Sequence, residues 1–398
     1  MVERGMKTPP HPLPFSPEGG AGLRVWEHRQ SECSANSNRD GYSTESCRRL
    51  TEMEESTTIF NEIHLLDVLQ EEERVATMNQ AHPAHPSSFQ ISEGVWPVLP
   101  TSFKDNGDLD LGHIPELVEF YLKAGCCGIF AVAGSGEMFN LSLEERLEVA
   151  RTVVETVGGR VQVIASGNLT DDFESQADEI EQMKSTGVDA VILILSKVPL
   201  TKSPWDADEL TEKVLALAER TTCPLGMYEC PSPEHRTLRP KDIRQITATG
   251  RFHFLKETTE ERDNVEAKVQ AGAGTPFRLF PASMHVFLQQ RIPGVGGFNG
   301  IIANVIPEVL VHIDRLGDDS LAFCDKVRDR MKLLDRGFLN ELYPASAKVL
   351  LRMRGLTLGI RARAGKNPVL SPEQQARLEP LKEVMEDLLS ECEVSLRA

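Results

Sequence analysis

The chain has 398 residues, 40% hydrophobic and 26% charged, enough for one large α/β domain or two ordinary ones with a sizeable core. Its 43 basic and 60 acidic residues give a net charge of −17, which disfavours nucleic acid and anionic membrane as partners. The sequence has no run of about 18 apolar residues and no secretory signal, so the expectation is a cytoplasmic protein that neither inserts into a membrane nor is exported.

The eight cysteines, at 33, 47, 126, 127, 223, 230, 324 and 392, are spaced irregularly. They form neither a disulfide framework nor the paired spacings of a zinc site, so no metal is expected. His82 and His85 lie in a Pro-containing polar stretch that reads as a solvated linker.

Residues 1–93 are read as an N-terminal extension. Pro9, Pro10, Pro12, Pro14 and Pro17 crowd its start, and a Ser/Asn/Glu-rich tract follows, so most of it is expected to be disordered. Ile59, Ile63, Leu66, Val68 and Leu69 come close to helical spacing, which allows a short amphipathic helix over 58–75. Met78 is an alternative start, and a chain beginning there is expected to retain fold and activity.

From Gly94 onward, short β-branched apolar runs alternate with helical periodicity. Strands are predicted at 95–99, 128–132, 161–166, 190–195, 225–229, 252–256, 277–280 and 295–299. Helices are predicted at 114–124, 143–157, 173–186, 210–221, 240–248 and 260–271. Eight strands too apolar to be half exposed, alternating with helices, describe a (β/α)8 TIM barrel over 94–320. Residues 321–398 read as a C-terminal helical extension packed on the barrel, with Pro368 and Ser371-Pro372 opening its last helix.

In such a barrel the chemistry sits at the C-terminal ends of the strands. Lys256 closes the sixth apolar run. A desolvated amine there loses its proton more readily and can attack a carbonyl to form a Schiff base. The other reading of Lys256 is a structural ion pair with Glu257 or another carboxylate. Tyr228 ends the fifth run, where adjacent parallel strands would bring it beside Lys256 as a proton relay; alone, it reads equally as a core tyrosine. After the second run comes Ala133-Gly134-Ser135-Gly136-Glu137. Two glycines flanking a serine let amide N–H groups and a hydroxyl converge on a carboxylate or phosphate. The glycines near 272–274 and 294–297 do not form a dinucleotide fingerprint.

Five motifs in chain order complete the pattern: Pro-Thr-Ser-Phe-Lys-Asp-Asn-Gly at 100–107, Gly-Ser-Gly-Glu at 134–137, Tyr-Glu-Cys-Pro at 228–231, Lys-Glu-Thr at 256–258, and Gly-Phe-Asn-Gly-Ile-Ile-Ala-Asn at 297–304. Together they resemble the family of dihydrodipicolinate synthase and N-acetylneuraminate lyase, cofactor-free class I aldolase-type barrels that form a Schiff base with pyruvate or a related 2-oxo acid. The resemblance runs from about Gly94 to the C-terminus. It implies Lys256 as the Schiff-base lysine, Tyr228 as proton donor and acceptor, Gly134, Ser135 and Gly136 as the carboxylate cradle, and Asn299 as a backbone contact near the substrate. It also implies a homo-oligomer, dimer or tetramer.

The departures bear on substrate. The synthase's Gly-Thr-Thr-Gly-Glu loop is here Ala133-Gly134-Ser135-Gly136-Glu137, closer to the loop of the dehydratase branch. Its Pro-Tyr-Tyr segment after the fourth strand is replaced by Ile194-Leu195-Ser196-Lys197-Val198-Pro199, and the arginine five residues beyond its tyrosine by Pro233, with Arg236 nearby. The expectation is therefore a lyase, aldolase or dehydratase, acting on pyruvate-related 2-oxo acids or deoxy sugar acids. On that view Ser196 and Lys197 offer new donors to a hydroxylated substrate. Two readings stand beside it: 4-hydroxy-tetrahydrodipicolinate synthase, condensing pyruvate with aspartate semialdehyde, and a non-catalytic 2-oxo-acid-binding protein.

Overall fold

A computed structural model of the chain describes residues 89–338, 342–365 and 368–392. Of the extension read as 1–93, residues 89–93 are described and packed, with Ile91 buried and the Ser92 N–H donating to Gln162 Oε1 at 2.7 Å; the helix over 58–75, the alternative start at Met78 and the histidines at 82 and 85 lie outside the described residues.

Eight parallel strands make the barrel: β1 (Gly94–Val95), β2 (Gly128–Val132), β3 (Gln162–Ser166), β4 (Ala190–Ile194), β5 (Leu225–Tyr228), β6 (Phe252–Glu257), β7 (Arg278–Pro281) and β8 (Gly297–Phe298). Strands β2 to β7 pair in chain order, and β1 pairs with β8. Parallel bridges Val98–Phe130 and Leu279–Val295 join the two sheets and close the ring. β1 and β8 are shorter than predicted. Pro97 has no N–H to give, and the Val98 N–H is taken by Asn304 Oδ1 at 2.8 Å, so β1 continues past Val95 only as the bridge to Phe130.

Helices α1 (Ile114–Ala124), α2 (Leu143–Val157), α3 (Phe173–Ser185), α4 (Ala207–Glu219), α5 (Pro240–Thr247), α6 (Arg262–Ala271), the short α7 (Met284–Phe287) and α8 (Pro307–Leu316) follow strands β1 to β8 in turn. Their starts are set by local chemistry. Ser142 and Glu145 form a reciprocal capping box before α2, and the Asp172 and Asp206 side chains cap α3 and α4. The cap at Asp206 explains why α4 starts three residues before its apolar periodicity, which begins at Leu210. Beyond the barrel lie α9 (Leu321–Phe338), α10 (Ala345–Met353), α11 (Pro372–Ala376) and α12 (Pro380–Glu391), with α12 packed on α9 and α10. No helix among the described residues is long and apolar enough to cross a membrane.

The barrel interior is aromatic. The Phe254 ring stacks on Phe280 at 4.4 Å and meets Trp96 and Phe130 edge-on at 5.6 and 6.3 Å, and all four side chains are buried. Two glycines make room for it. A Cβ at Gly128 would stand 2.2 Å from the Trp96 ring, and one at Gly226 would meet Ile192 at 2.5 Å and Phe254 at 2.9 Å. This aromatic floor matters for the site because Lys256 lies two residues beyond Phe254 on the same strand, hence on the same face.

Candidate active site

Tyr228 and Lys256 end up side by side because β5 and β6 are parallel neighbours in which these two residues are register partners. The Lys256 Nζ lies 4.8 Å from the centroid of the Tyr228 ring. Lys256 is only 3% exposed. Among the described residues no carboxylate pairs with it, and burial brings its pKa down to about 8. The ion-pair reading fails on strand alternation: Glu257 points to the opposite face, where it accepts from Lys268 at 3.1 Å. Lys268, on α6, also binds both oxygens of Glu229 at 2.8 and 2.9 Å, and all three side chains are fully buried. This ion cluster sits behind the residue next to Tyr228 and the residue next to Lys256, and it ties the two strand ends together.

Tyr228 is also buried, and burial holds its phenol well above the ordinary pKa, protonated as a donor. Its hydroxyl is 3.6 Å from where a Cβ would stand on Gly134, so the glycine turn after β2 lies directly against it. The Cys230 thiol, two residues on, adds to the rise in the Tyr228 pKa.

Residues Gly134–Gly136 form a short 3-10 turn. Gly136 is packed so closely that a Cβ would come 2.9 Å from the Leu99 carbonyl, and its own carbonyl accepts from Thr101 Oγ1 at 2.7 Å. The turn ends at Glu137, which adopts a left-handed conformation (φ 61°). Its buried carboxylate accepts from Lys348 Nζ and from the Arg363 and Ala364 amides, each at 2.6 Å. The C-terminal helices are thereby fastened to the turn. Ser135 is buried, and its Oγ accepts from Asn304 Nδ2 at 3.0 Å and from the Tyr343 hydroxyl.

The structure thus gathers Lys256, Tyr228, Gly134, Ser135 and Gly136. Asn299, expected as a backbone contact, follows β8 directly; its side-chain Nδ2 donates to the Trp96 carbonyl, bracing β8 against β1, while its buried Oδ1 has no partner among the described residues. The two donors expected for a hydroxylated substrate are otherwise engaged. Ser196 Oγ donates to the Ser232 carbonyl at 2.7 Å, and Lys197 pairs with Asp171. Arg236 is a brace, with Nε on Glu234 at 2.8 Å and Nη1 on the Leu195 and Val198 carbonyls.

Asn304, Tyr343 and Lys348 are the residues that sequence reasoning missed. Asn304 closes a motif already singled out at 297–304, so a signal existed. Tyr343 is one of four tyrosines, but it lies beyond the barrel, where no strand position marks it. Among the described residues there is no cluster of three or more His, Cys, Asp or Glu side chains able to hold a metal ion. A separate surface cleft, lined by Phe287, Arg291, Ile292 and Asp314, contains none of Lys256, Tyr228, Ser135, Asn304 or Tyr343.

A family model described as the dihydrodipicolinate synthetase family matches residues 91–386. A protein of Anaeromyxobacter dehalogenans named 4-hydroxy-tetrahydrodipicolinate synthase is 29% identical over 296 residues, 74% of this chain and 96% of its own. One of the same name from Methanothrix thermoacetophila is 27% identical over 297 residues, 74% and 97% of the two chains. Among solved structures, a dihydrodipicolinate synthase of Thermotoga maritima superposes with a TM-score of 0.65 at 20% identity, covering 76% of this chain and 99% of that one. A prophage protein of Escherichia coli K12 from the same family, solved in complex with pyruvate, gives 0.64 at 20% identity over 76% and 99%.

Proposed function

The chain belongs to the dihydrodipicolinate synthetase family, and we propose that it is a Schiff-base lyase that holds a small 2-oxo acid as an imine of Lys256. The single observation that carries this assignment is the state of Lys256: a lysine at the mouth of an apolar barrel, 3% exposed, with no counter-ion among the described residues and a phenol at its side.

An amine whose pKa is about 8 is about one-tenth neutral at pH 7. Its lone pair attacks the C2 carbonyl of the substrate; a C–N bond forms and the oxygen takes up a proton. Loss of water then leaves a cationic iminium, and the substrate's carboxylate, bound by the Ser135 turn, supplies the negative charge that the protein does not place near Lys256. In an aldol cleavage the iminium accepts the electron pair of the breaking C3–C4 bond; in a dehydration it accepts the pair of the C3–H bond as that proton leaves, and the resulting enamine expels the C4 hydroxyl, which takes up a proton and departs as water. Tyr228, protonated and against the amine, transfers the protons that these steps release and consume.

The names of the relatives favour a second reading, condensation of pyruvate with aspartate semialdehyde. The site offers little for the aldehyde's carboxylate: Pro233 stands where the resemblance calls for an arginine, and Arg236 is occupied by Glu234 and two carbonyls. We therefore favour cleavage or dehydration of 2-oxo acids, deoxy sugar acids included. Assembly as a dimer or tetramer and residence in the cytoplasm belong to the same proposal; light scattering on the purified protein tests the first and cell fractionation the second.

Borohydride reduction in the presence of pyruvate or a sugar-derived 2-oxo acid, followed by peptide mapping, tests the assignment. A reduced adduct on Lys256 is expected, and an adduct on another lysine, or none with any 2-oxo acid, overturns it. Parallel assays of deoxy-sugar-acid turnover and of condensation then decide between the two readings.

A further inference from the structure

Ser135 is held by two donors from separate parts of the chain. Asn304 comes from the turn after β8, and its amide orientation is set: Oδ1 accepts from the Val98 N–H at 2.8 Å, so Nδ2 is the group that donates to Ser135 Oγ at 3.0 Å. Tyr343 comes from the segment before α10, outside the eight strand–helix units, and its hydroxyl donates to the same oxygen. A serine hydroxyl has one proton and two acceptor sites. With both acceptor sites filled, only the proton is left, and it can be used only toward an acceptor. Burial keeps the Tyr343 phenol protonated, so this donor does not switch off in the neutral range.

We propose that Tyr343 is a positioning residue: together with Asn304 it fixes Ser135 as an obligatory hydrogen-bond donor, so that the turn selects a carboxylate over a neutral group in the 2-oxo acid. This rests on the reading of the site as one that binds a 2-oxo acid through Lys256. The arrangement makes recognition depend on the C-terminal helices as well as on the barrel. The same segment is anchored to the same turn a second time, five residues on, by the Lys348–Glu137 pair. The Gly134 position lies against the Tyr228 hydroxyl, so a carboxylate drawn to Ser135 places the adjoining carbonyl between the turn and the Lys256–Tyr228 pair.

The experiment measures borohydride trapping on Lys256 as a function of ligand concentration, with pyruvate and with its neutral amide, in the wild type and in Tyr343→Phe, Ser135→Ala and the double variant. The quantity read is the ratio of half-saturating concentrations, amide over pyruvate, which does not depend on how much of a preparation is folded. Loss of a hydrogen bond to a charged group corresponds to about a tenfold fall in that ratio. Tyr343→Phe is expected to lower it by that factor while Lys256 still traps to completion at saturating pyruvate. In the Ser135→Ala background, Tyr343→Phe is expected to change nothing further, because its effect runs through Ser135. An unchanged ratio in Tyr343→Phe, or an equal fall with and without Ser135, overturns the proposal. If the wild type itself fails to trap any 2-oxo acid, the Schiff-base reading falls, and this inference falls with it.

Discussion

Lys256 Nζ sits over the ring of Tyr228, its register partner on the neighbouring strand, 4.8 Å from the centroid. The contact gives the buried ammonium a weak cation–π partner in place of a carboxylate. An ammonium in that setting costs stability, and the cost is the same desolvation that makes the neutral amine accessible.

The first prediction concerns pH. With a folded pKa of about 8 against an unfolded value of 10.5, the unfolded chain binds more protons between those values, so this group's contribution to stability rises with pH across that window. Imine formation should rise as pH passes through about 8 and level off above it. Lys256→Met should abolish trapping and raise the melting temperature at pH 7, since a buried charge is replaced by an apolar chain of similar length. A Lys256→Met protein that melts below the wild type at pH 7 would contradict the burial argument.

Tyr228→Phe keeps the ring under Lys256 and the edge contact to Phe130 at 6.3 Å, removing only the hydroxyl. Turnover should fall by roughly two to four orders of magnitude, the range for a positioned acid–base group. The melting temperature should stay within a few degrees. Steady-state rates and a thermal scan on the same preparation check this, and near-wild-type turnover would move the proton relay to another group.

Much of this site was legible in the sequence because it lies at strand ends. Apolar runs that stop at Tyr228 and Lys256 mark the barrel mouth, and parallel order places them together. Even the rejected pairing of Lys256 with Glu257 was decidable, since consecutive strand residues face opposite sides. What escaped was whatever depends on a distant return of the chain. Tyr343 and Lys348 meet Ser135 and Glu137 across more than 200 residues, and no periodicity announces such a contact. Asn299, predicted as the last residue of its strand, falls just past the end of β8, and its side chain donates to the Trp96 carbonyl at the β8–β1 seam. The truncation of β1 followed from Pro97, which was visible from the start.

A third prediction tests the buried cluster behind the site. Lys268 faces two carboxylates, Glu229 and Glu257, and none of the three is exposed. Burial raises the Glu229 pKa, and the Lys268 ammonium opposes that rise. Removing the ammonium by Lys268→Met strands the carboxylates and should destabilise the fold by about 3–5 kcal/mol at pH 7. Glu229 would then take up a proton more readily in the folded state than in the unfolded one, so the loss should shrink as pH is lowered toward 5. Urea unfolding of both proteins at the two pH values measures it; a loss below about 1 kcal/mol, equal at both, would show that the cluster does not hold the strand ends.

The last prediction follows His253, on the outer face of β6 one residue before Phe254. It is fully buried, neither ring nitrogen has a partner among the described residues, and its ring meets Phe89 edge-on at 4.9 Å. Burial, with a smaller contribution from Arg251, lowers its pKa to about 4 from 6.5. Between those values the unfolded chain takes up a proton that the folded one refuses, so this group's contribution to stability is lost as pH falls through the window. At about 1.4 kcal/mol per pKa unit the full effect approaches roughly 3 kcal/mol. His253→Phe keeps an aromatic edge against Phe89 and removes the titration. Its stability at pH 7 should lie within about 1–2 kcal/mol of the wild type. From pH 6.5 down to 4.5 it should lose less stability than the wild type does, giving a shallower curve of unfolding free energy against pH. Superimposable slopes for the two proteins would mean that His253 binds its proton in the folded state as readily as in the unfolded one, and that its cavity admits water.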